Sequence, residues 1–210
     1  MAIIIRTDNA DPENLQQAAD IIRRGGIVAF PTETYYGLAV DPFNAAAVER
    51  LFTIKKRDRG KAVLTLIGNI DQLPILARAI PPVYEKLMAR YWPGPLTLVF
   101  EADRNLPQLL LDAAKTVGIR ISSHPAVGHL IRAFGGPITG TSANISGYPP
   151  AAGAEEVIEQ LNDTIDLVLD GGVTQGQAGS TVLGIHDGRP KVFRSGVIPV
   201  EEIEDFLCRG

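Results

Sequence analysis

The stretch Ile27-Val28-Ala29-Phe30-Pro31-Thr32-Glu33-Thr34 passes directly from an apolar run to a cluster of hydroxyl and carboxylate side chains. The apolar half predicts a short buried strand, because β-branched and aromatic residues favour strands. Before it, Asp11 as N-cap, Pro12 at the first helical position and the stop Gly25-Gly26 predict a helix. Polar groups directly after a buried strand lie where open α/β sheets commonly bind ligands. The stretch therefore predicts an α/β fold with a ligand site at a strand end.

The alternation of helix and strand continues along the rest of the chain. We predict strands over 2–7, 62–67, 96–100, 116–122, 138–141, 166–169, 180–185 and 191–194. We predict further helices after Asn44 up to Lys55 and over 71–79, 82–91, 106–111, 125–134, 154–161 and 199–207. The last two strands should pair across the turn Asp187-Gly188. Since no internal repeat or long linker interrupts this pattern, we expect one mixed α/β domain over residues 1–210.

A second informative segment, Lys55-Lys56-Arg57-Asp58-Arg59-Gly60-Lys61, holds five cations and one acid in seven residues. Such a run can be a solvated helix end whose charges favour the helix dipole. However, cations this close together repel one another unless an anion is sometimes present, and Gly60 gives the backbone freedom to close around one. Because arginine holds phosphate oxygens bidentately and lysine acts as a point charge, the segment predicts a polyphosphate site.

Small polar residues recur at three predicted strand ends, namely Thr32 to Thr34, Ser142 to Asn144 and Ser180-Thr181. Arg120 and Arg194 add cations at two further strand ends. Taken alone, the middle cluster is also typical of an N-cap with an Asx turn. The recurrence of polar residues at these positions favours a ligand that is bound by several strand ends.

Composition excludes several classes of protein. The formal net charge of −4 argues against a general nucleic-acid coat protein, whose basic face would show in the total. A single cysteine, Cys208, excludes a disulfide framework within the chain. No apolar run approaches the roughly 18–20 residues that span a bilayer, and the first residues lack the pattern of a signal peptide. We therefore expect a cytoplasmic protein.

Familiar catalytic motifs are also missing. The chain contains no G-x-x-x-x-G-K-[ST] loop, no G-x-G-x-x-G after a strand and no G-x-S-x-G elbow. His124, His129 and His186 lack metal-ligand spacing, so we predict no metal ligand among them. We interpret His124 as structural and Trp92 as a packing anchor. An enzyme with this sequence would work by positioning and charge neutralisation rather than through a covalent nucleophile.

Several short motifs together resemble those of the YrdC family, in particular its short threonylcarbamoyl-AMP synthases of the TsaC type. In chain order they are Pro31-Thr32-Glu33-Thr34 with Tyr36-Gly37-Leu38, Lys55-x-Arg57 with Lys61, Trp92-Pro93-Gly94-Pro95-Leu96-Thr97, Gly118-x-Arg120 with His124-Pro125, Thr141-Ser142-Ala143-Asn144 with Ser146-Gly147, Ser180-Thr181, and Arg194-x-Gly196. Each motif is weak alone, but the ordered set covers nearly the whole chain. The resemblance implies a single YrdC-like domain over residues 1–210, with a mixed twisted sheet, flanking helices and a concave basic ligand cavity.

The resemblance also implies an activity, which is the synthesis of threonylcarbamoyl-adenylate and pyrophosphate from L-threonine, bicarbonate and ATP with Mg²⁺. This nucleotidyltransferase reaction would serve the threonylcarbamoyladenosine modification of tRNA, in transient contact with a downstream transferase. Matched by motif, the catalytic residues would be Lys55 and Arg57. The implied ATP-binding residues are Lys55, Arg57, Lys61, Thr116, Ser142, Asn144 and Arg194. The implied threonine-binding residues are Thr34, Arg120 and Ser180, and no protein ligand to a metal is implied.

Three alternatives remain open at this point. The chain could belong to the paralogous YciO branch of the family, or it could be a non-catalytic RNA-binding module that uses the same basic cavity. A carbamoyl-transfer domain of the hydrogenase-maturation type is the third. RNA binding without chemistry predicts affinity that falls steeply with salt and needs no small substrate.

Overall fold

The computed structural model describes residues 2–6, 11–176 and 178–209, with only the backbone of Arg209. Its strands are β1 (Ile3–Arg6), β2 (Val28–Phe30), β3 (Gly37–Ala39), β4 (Leu64–Leu66), β5 (Leu96–Glu101), β6 (Thr116–Arg120), β7 (Ile138–Thr139), β8 (Thr141–Ser142), β9 (Leu167–Asp170), β10 (Thr181–His186) and β11 (Arg189–Arg194). Its helices are α1 (Pro12–Arg23), α2 (Ala45–Lys55), α3 (Leu73–Leu76), α4 (Pro82–Tyr91), α5 (Pro125–Phe134), α6 (Ala154–Leu161) and α7 (Val200–Arg209). Within the described ranges, no helix is long and apolar enough to cross a bilayer.

The strands form two mixed sheets, whereas the family resemblance implied one mixed twisted sheet. The first has the order β1-β9-β2-β3-β8, and the second has the order β11-β10-β5-β6-β4-β7. The predicted strand 138–141 divides between them: Thr139 pairs with Thr65 in the second sheet, and Thr141 pairs with Leu38 in the first. A Cβ on the intervening Gly140 would lie 2.6 Å from the Leu66 side chain. Glycine at this position therefore lets the chain cross from one sheet to the other.

A hairpin that the sequence did not predict follows β2. The chain turns back after Phe30, and β3 pairs antiparallel with β2 through Phe30 and Gly37. A Cβ on Gly37 would lie 3.0 Å from the Phe30 ring, so the close approach of the two strands favours glycine. The hydroxyls of Thr32 and Thr34 are bonded to each other at 3.0 Å within the hairpin loop. The polar cluster is therefore a structured loop rather than an open strand end.

Helix boundaries follow the capping signals closely. Asp11 Oδ1 accepts from the amide of Glu13 at 3.0 Å, and Asn44 Oδ1 accepts from that of Ala47 at 3.1 Å, which confirms both predicted N-caps. The predicted bounds of α4, α5 and α6 are also confirmed. The prediction over 71–79 was too long, because the chain is already extended at Ala77, where it bridges to Ala102. The segment 106–111 keeps only a 3₁₀ turn, Gln108–Leu110.

Two apolar clusters leave one sheet face uncovered. The first contains Leu51, Tyr84 and Phe100 and joins α2 and α4 to the second sheet. The other contains Leu130 and Leu167 and packs α1 and α5 against the first sheet. On β6, Val117 and Ile119 belong to the first cluster, whereas Thr116, Gly118 and Arg120 point to the opposite side because strand side chains alternate. That opposite face carries the candidate site.

Candidate functional site

A cavity of about 490 Å³ lies on the uncovered face of the second sheet. Its floor is formed by residues two apart on neighbouring strands, as strand geometry requires. They are Thr97 and Val99 on β5, Thr116, Gly118 and Arg120 on β6, and Val182 on β10. The walls come from the β2–β3 loop, the segment 141–144, Arg57 and the end of β11. Segments far apart in sequence therefore converge on one concave surface.

Most of the predicted site residues line this cavity. Those that do are Thr34, Arg57, Thr116, Arg120, Ser142, Asn144, Ser180 and Arg194. Lys55 and Lys61 are not part of the lining. The polar strand ends therefore converge on one cavity, as their recurrence predicted, whereas the two lysines of the cationic segment lie outside its lining.

The cationic segment 55–61 contributes one side chain to the lining, Arg57, rather than the five cations considered in the sequence. Lys56 ends α2 in the left-handed conformation with φ 49° and is exposed. Asp58 Oδ1 accepts from the amide of Gly60 at 2.9 Å, and Arg59 forms an exposed ion pair with Glu49. Lys61 is also exposed. The tight turn at Asp58 therefore directs most of the positive charge to solvent.

Lys55 is buried behind the cavity wall, with 1% of its surface exposed. Its Nζ donates to the carbonyl of Ser142, to the carbonyl of Asn144 at 2.7 Å and to Asn144 Oδ1 at 3.3 Å. An ammonium has three donors, so these bonds use all of them. Lys55 therefore holds the segment 142–144 in place instead of presenting its charge to the cavity.

We expect Lys55 to make protein stability depend on pH. Burial, and then the nearby Arg57 guanidinium, lower the pKa of Lys55 from 10.5 to about 7. Between these values the unfolded chain binds more protons than the folded one, so the free energy of unfolding rises with pH. Relative to Lys55→Met, wild-type stability should gain about 1.4 kcal/mol per pH unit. Urea unfolding at pH 7 to 9 measures this, and an unchanging difference between the two proteins would contradict it.

Arg57 and Arg194 come from distant parts of the chain and both line the cavity. Arg57 Nη2 donates to the carbonyl of Ala62 at 2.6 Å, and Arg194 Nη2 donates to the carbonyl of Ser180 at 2.8 Å. Burial is the main cause that lowers the pKa of both guanidiniums, and Arg194 adds to the effect on Arg57. Among the described residues neither forms an ion pair with an acid. Neutral carbonyl oxygens therefore fix the orientation of both guanidiniums, and both positive charges remain available to an anion.

Arg120 is a buried cation whose partner sequence reasoning did not identify. Its Nη1 lies 3.6 Å from Glu33 Oε1, which is too long for a hydrogen bond. Glu33 Oε2 accepts instead from the hydroxyl of Ser122. Arg120 Nε and Glu33 Oε1 are both buried without a hydrogen-bond partner. Glu33 therefore neutralises the charge of Arg120 without accepting a hydrogen bond from its guanidinium. The position of Glu33 between two hydroxyl residues was the only sequence signal for it.

Hydroxyl and carboxylate groups complete the lining. Ser142 Oγ donates to Asn144 Oδ1 at 2.5 Å, and the hydroxyls of Thr97 and Ser180 are bonded at 2.8 Å. Asp112 accepts from both the amide and the hydroxyl of Thr116, at 2.9 and 2.8 Å. Sequence reasoning assigned no binding role to Thr97, Asp112, Tyr35 or Phe193, although all four line the cavity. Two signals could have indicated Thr97, namely the strand periodicity of β5 and its place at the end of the motif that begins at Trp92.

His124 and Trp92, which we interpreted as structural, make structural contacts. His124 caps α5, with Nδ1 accepting from the amide of Ala126 at 3.3 Å. Trp92 Nε1 donates to the carbonyl of Leu96 at 2.7 Å, and its ring packs against the larger apolar cluster. Neither lines the cavity.

The fold and the cavity define the chain as an α/β protein with a cationic, hydroxyl-rich cavity on one sheet face. The family model Sua5_yciO_yrdC, described as "Telomere recombination", matches residues 20–196. The chain therefore belongs to the Sua5/YciO/YrdC family, as the ordered motifs indicated.

Individual relatives agree with this assignment. The chain is 38% identical over 208 residues to a threonylcarbamoyl-AMP synthase of Pyrococcus abyssi, covering 99% of this chain but 61% of the relative. It is 40% identical over 187 residues to the threonylcarbamoyl-AMP synthase of Vibrio cholerae, covering 88% of this chain and 98% of the relative. The chain thus spans under two thirds of the archaeal relative and nearly the full length of the bacterial one.

Solved structures share the fold. The crystal structure of P. abyssi Sua5 complexed with L-threonine matches with a TM-score of 0.92 at 37% identity, over 98% of this chain and 60% of that one. The crystal structure of E. coli YciO matches with a TM-score of 0.85 at 28% identity, over 96% of this chain and 98% of that one. Both branches of the family that the sequence left open therefore have this fold.

Proposed function

We propose that the protein is an L-threonylcarbamoyladenylate synthase, which makes threonylcarbamoyl-AMP and pyrophosphate from L-threonine, bicarbonate and ATP. The observation that carries the proposal is the convergence of Arg57, Arg120 and Arg194 with small hydroxyls on one cavity. A triphosphate and an amino-acid carboxylate are both anions that guanidiniums hold well. The synthases of P. abyssi and V. cholerae, which share this family, support the choice of reaction.

We assign the anionic parts of the two substrates to different arginines. Arg57 and Arg194 would hold the phosphates of ATP, with the Ser142 and Asn144 side chains beside them. Arg120 would pair with the threonine carboxylate, because it has an unsatisfied buried Nε and a partner that leaves its donors free. Thr34 and Ser180 would contact the threonine side of the ligand, Thr116 the nucleotide, and Lys55 would support Asn144 from behind. Lys61, exposed beside Arg57, would act at longer range on the triphosphate.

The reaction needs charge stabilisation more than a protein nucleophile. Bicarbonate takes up one proton and loses water to give carbon dioxide, and the threonine amine then adds to carbon dioxide and releases one proton to form a carbamate. A carbamate oxygen then attacks the α-phosphorus, and the bond from that phosphorus to the β-phosphate oxygen breaks. Pyrophosphate leaves with most of the developing negative charge, which fixed guanidiniums stabilise. Mg²⁺ enters this scheme as part of the MgATP substrate, and we assign it no protein ligand.

The cellular setting belongs to the same proposal. The product would pass to a transferase that modifies tRNA, so the protein would act in the cytoplasm and contact that transferase transiently. Residues 1–210 would act as one domain with the cavity as its ligand site.

Pyrophosphate release by the purified protein tests the proposed function. We expect release from MgATP that requires both L-threonine and bicarbonate. A rate that does not depend on one of these two compounds would refute the synthase reaction. Absence of release together with RNA binding that weakens steeply with salt would favour the RNA-binding alternative.

A further inference from the structure

Phe193 lies beside the cavity because β11 contains an extra residue. Val182 of β10 pairs with Arg194, whereas the next residue, Leu183, pairs with Val192. Phe193 between them has no partner on β10, which is the arrangement of a β-bulge. Val192 packs against the apolar core, and Phe193 and Arg194 both line the cavity. In a regular strand two consecutive side chains would point to opposite faces. The bulge therefore brings an aromatic ring and a cation to the same surface.

The ring of Phe193 packs closely against a glycine of the neighbouring strand, Gly184. A Cβ on Gly184 would be 2.3 Å from Phe193 Cε2 and 3.0 Å from Cζ. Any other residue at Gly184 would lift the ring away from the sheet. Despite this close packing on one side, Phe193 remains 50% exposed. The ring is therefore packed against Gly184 on one side and still exposes half of its surface, and Phe193 is among the residues that line the cavity.

The part of the cavity floor on the strands next to Phe193 carries apolar side chains. Val182 and Val99, partly exposed on the adjacent strands, extend the apolar surface across the floor. Gly118, which pairs with Val99, adds no side chain there. An apolar floor beside Arg194 suits a flat, weakly polar group that is joined to an anion.

We propose that Phe193 is the stacking platform for the adenine base of ATP, with Gly184 as the residue that sets the height of its ring. This inference rests on the proposed function and adds a residue that determines recognition of the base. Aromatic rings stack on any base through their π-faces, and the adjacent Arg194 is placed to hold the phosphates of the same molecule.

Calorimetric titration of the full-length protein with ATP and with inorganic tripolyphosphate tests the inference. Phe193→Ala should weaken ATP binding by about 5- to 150-fold, the range that corresponds to loss of one base–aromatic stack. It should leave the affinity for tripolyphosphate unchanged, since that ligand has no base. Gly184→Ala should weaken ATP binding in the same selective way by displacing the ring, whereas Phe193→Tyr should retain wild-type affinity.

Phe43→Ala is the matched control, because Phe43 is 40% exposed and lies outside the cavity. It should leave both affinities unchanged. An unchanged ATP affinity in Phe193→Ala, or an equal loss for ATP and tripolyphosphate, overturns the stacking role even where threonine-dependent pyrophosphate release is intact. If wild-type protein binds tripolyphosphate but neither binds nor consumes ATP, the proposed function falls together with this inference.

Discussion

Replacement of Arg57 by alanine should reduce threonine-dependent pyrophosphate release by about 100- to 1,000-fold, the effect typical of losing one fixed group that stabilises transition-state charge. Arg57 is the side chain of segment 55–61 that lines the cavity. Its direction is set by the carbonyl of Ala62, so the charge stands ready before substrate arrives. Initial rates at saturating ATP, threonine and bicarbonate measure the loss. Unfolding in urea should show that Arg57→Ala folds normally.

Two further variants separate position from charge. Arg59→Ala removes an equal charge two residues away, but Arg59 is exposed and pairs with Glu49 outside the cavity. It should keep nearly full activity. Arg57→Lys keeps the charge but loses bidentate geometry, so its rate should lie between those of wild type and Arg57→Ala. Full turnover by Arg57→Ala would remove Arg57 from the site, and equal losses in Arg57→Ala and Arg59→Ala would indicate a general charge effect.

Gly196→Ala should produce the largest loss of stability among single methyl additions. A Cβ at this position would lie 2.3 Å from the carbonyl oxygen of Gly179, 2.4 Å from the carbonyl carbon of Ser180 and 2.5 Å from the amide of Thr181. All three are backbone atoms, which cannot give way as a flexible side chain can. We expect a loss of about 3 kcal/mol or more in the free energy of unfolding, the upper end for overpacking. Urea unfolding measures it.

Gly128→Ala is the control for Gly196→Ala. Gly128 lies within α5, and a Cβ there would meet no atom within 4 Å. Because alanine favours helix over glycine, this variant should gain about 0.5–1 kcal/mol. Gly196→Ala should also weaken ATP binding, since the clash displaces Ser180, which accepts from Arg194. A Gly196→Ala protein as stable as wild type would contradict the predicted steric conflict.

Local signals predicted much of the fold. Caps such as Asp11 and Asn44 act within a few residues, so their effect can be read directly from sequence. The crossing at Gly140 could not be predicted in this way. It depends on which strands lie beside residues 139 and 141, and Thr65 and Leu38 are distant in the chain. The sequence shows that residue 140 is a glycine, but it does not show the packing against Leu66 that requires one.

The site also combines residues that local sequence patterns indicate with residues whose placement depends on tertiary contacts. Recurring hydroxyls and cations at strand ends indicated Ser142, Ser180 and Arg194 because each follows a strong strand pattern. The charge run did not indicate that Lys61 is exposed outside the cavity lining, since charge density in sequence does not show which side chains a turn directs outward. Phe193 was not predicted because its direction depends on a register shift against β10. Periodicity cannot show a bulge that places neighbouring residues on one face.

Lys55 has a consequence for the cost of binding. Besides its side-chain bonds to Ser142 and Asn144, its carbonyl accepts from the amide of Ser146 at 2.8 Å. Lys55 therefore links the end of α2 to the segment 142–146 through both its side chain and its backbone carbonyl. Asn144 and Arg57 are thereby ordered relative to each other before any ligand is present. The conformational entropy of these two side chains is lost during folding, so its loss does not reduce the free energy of ligand binding.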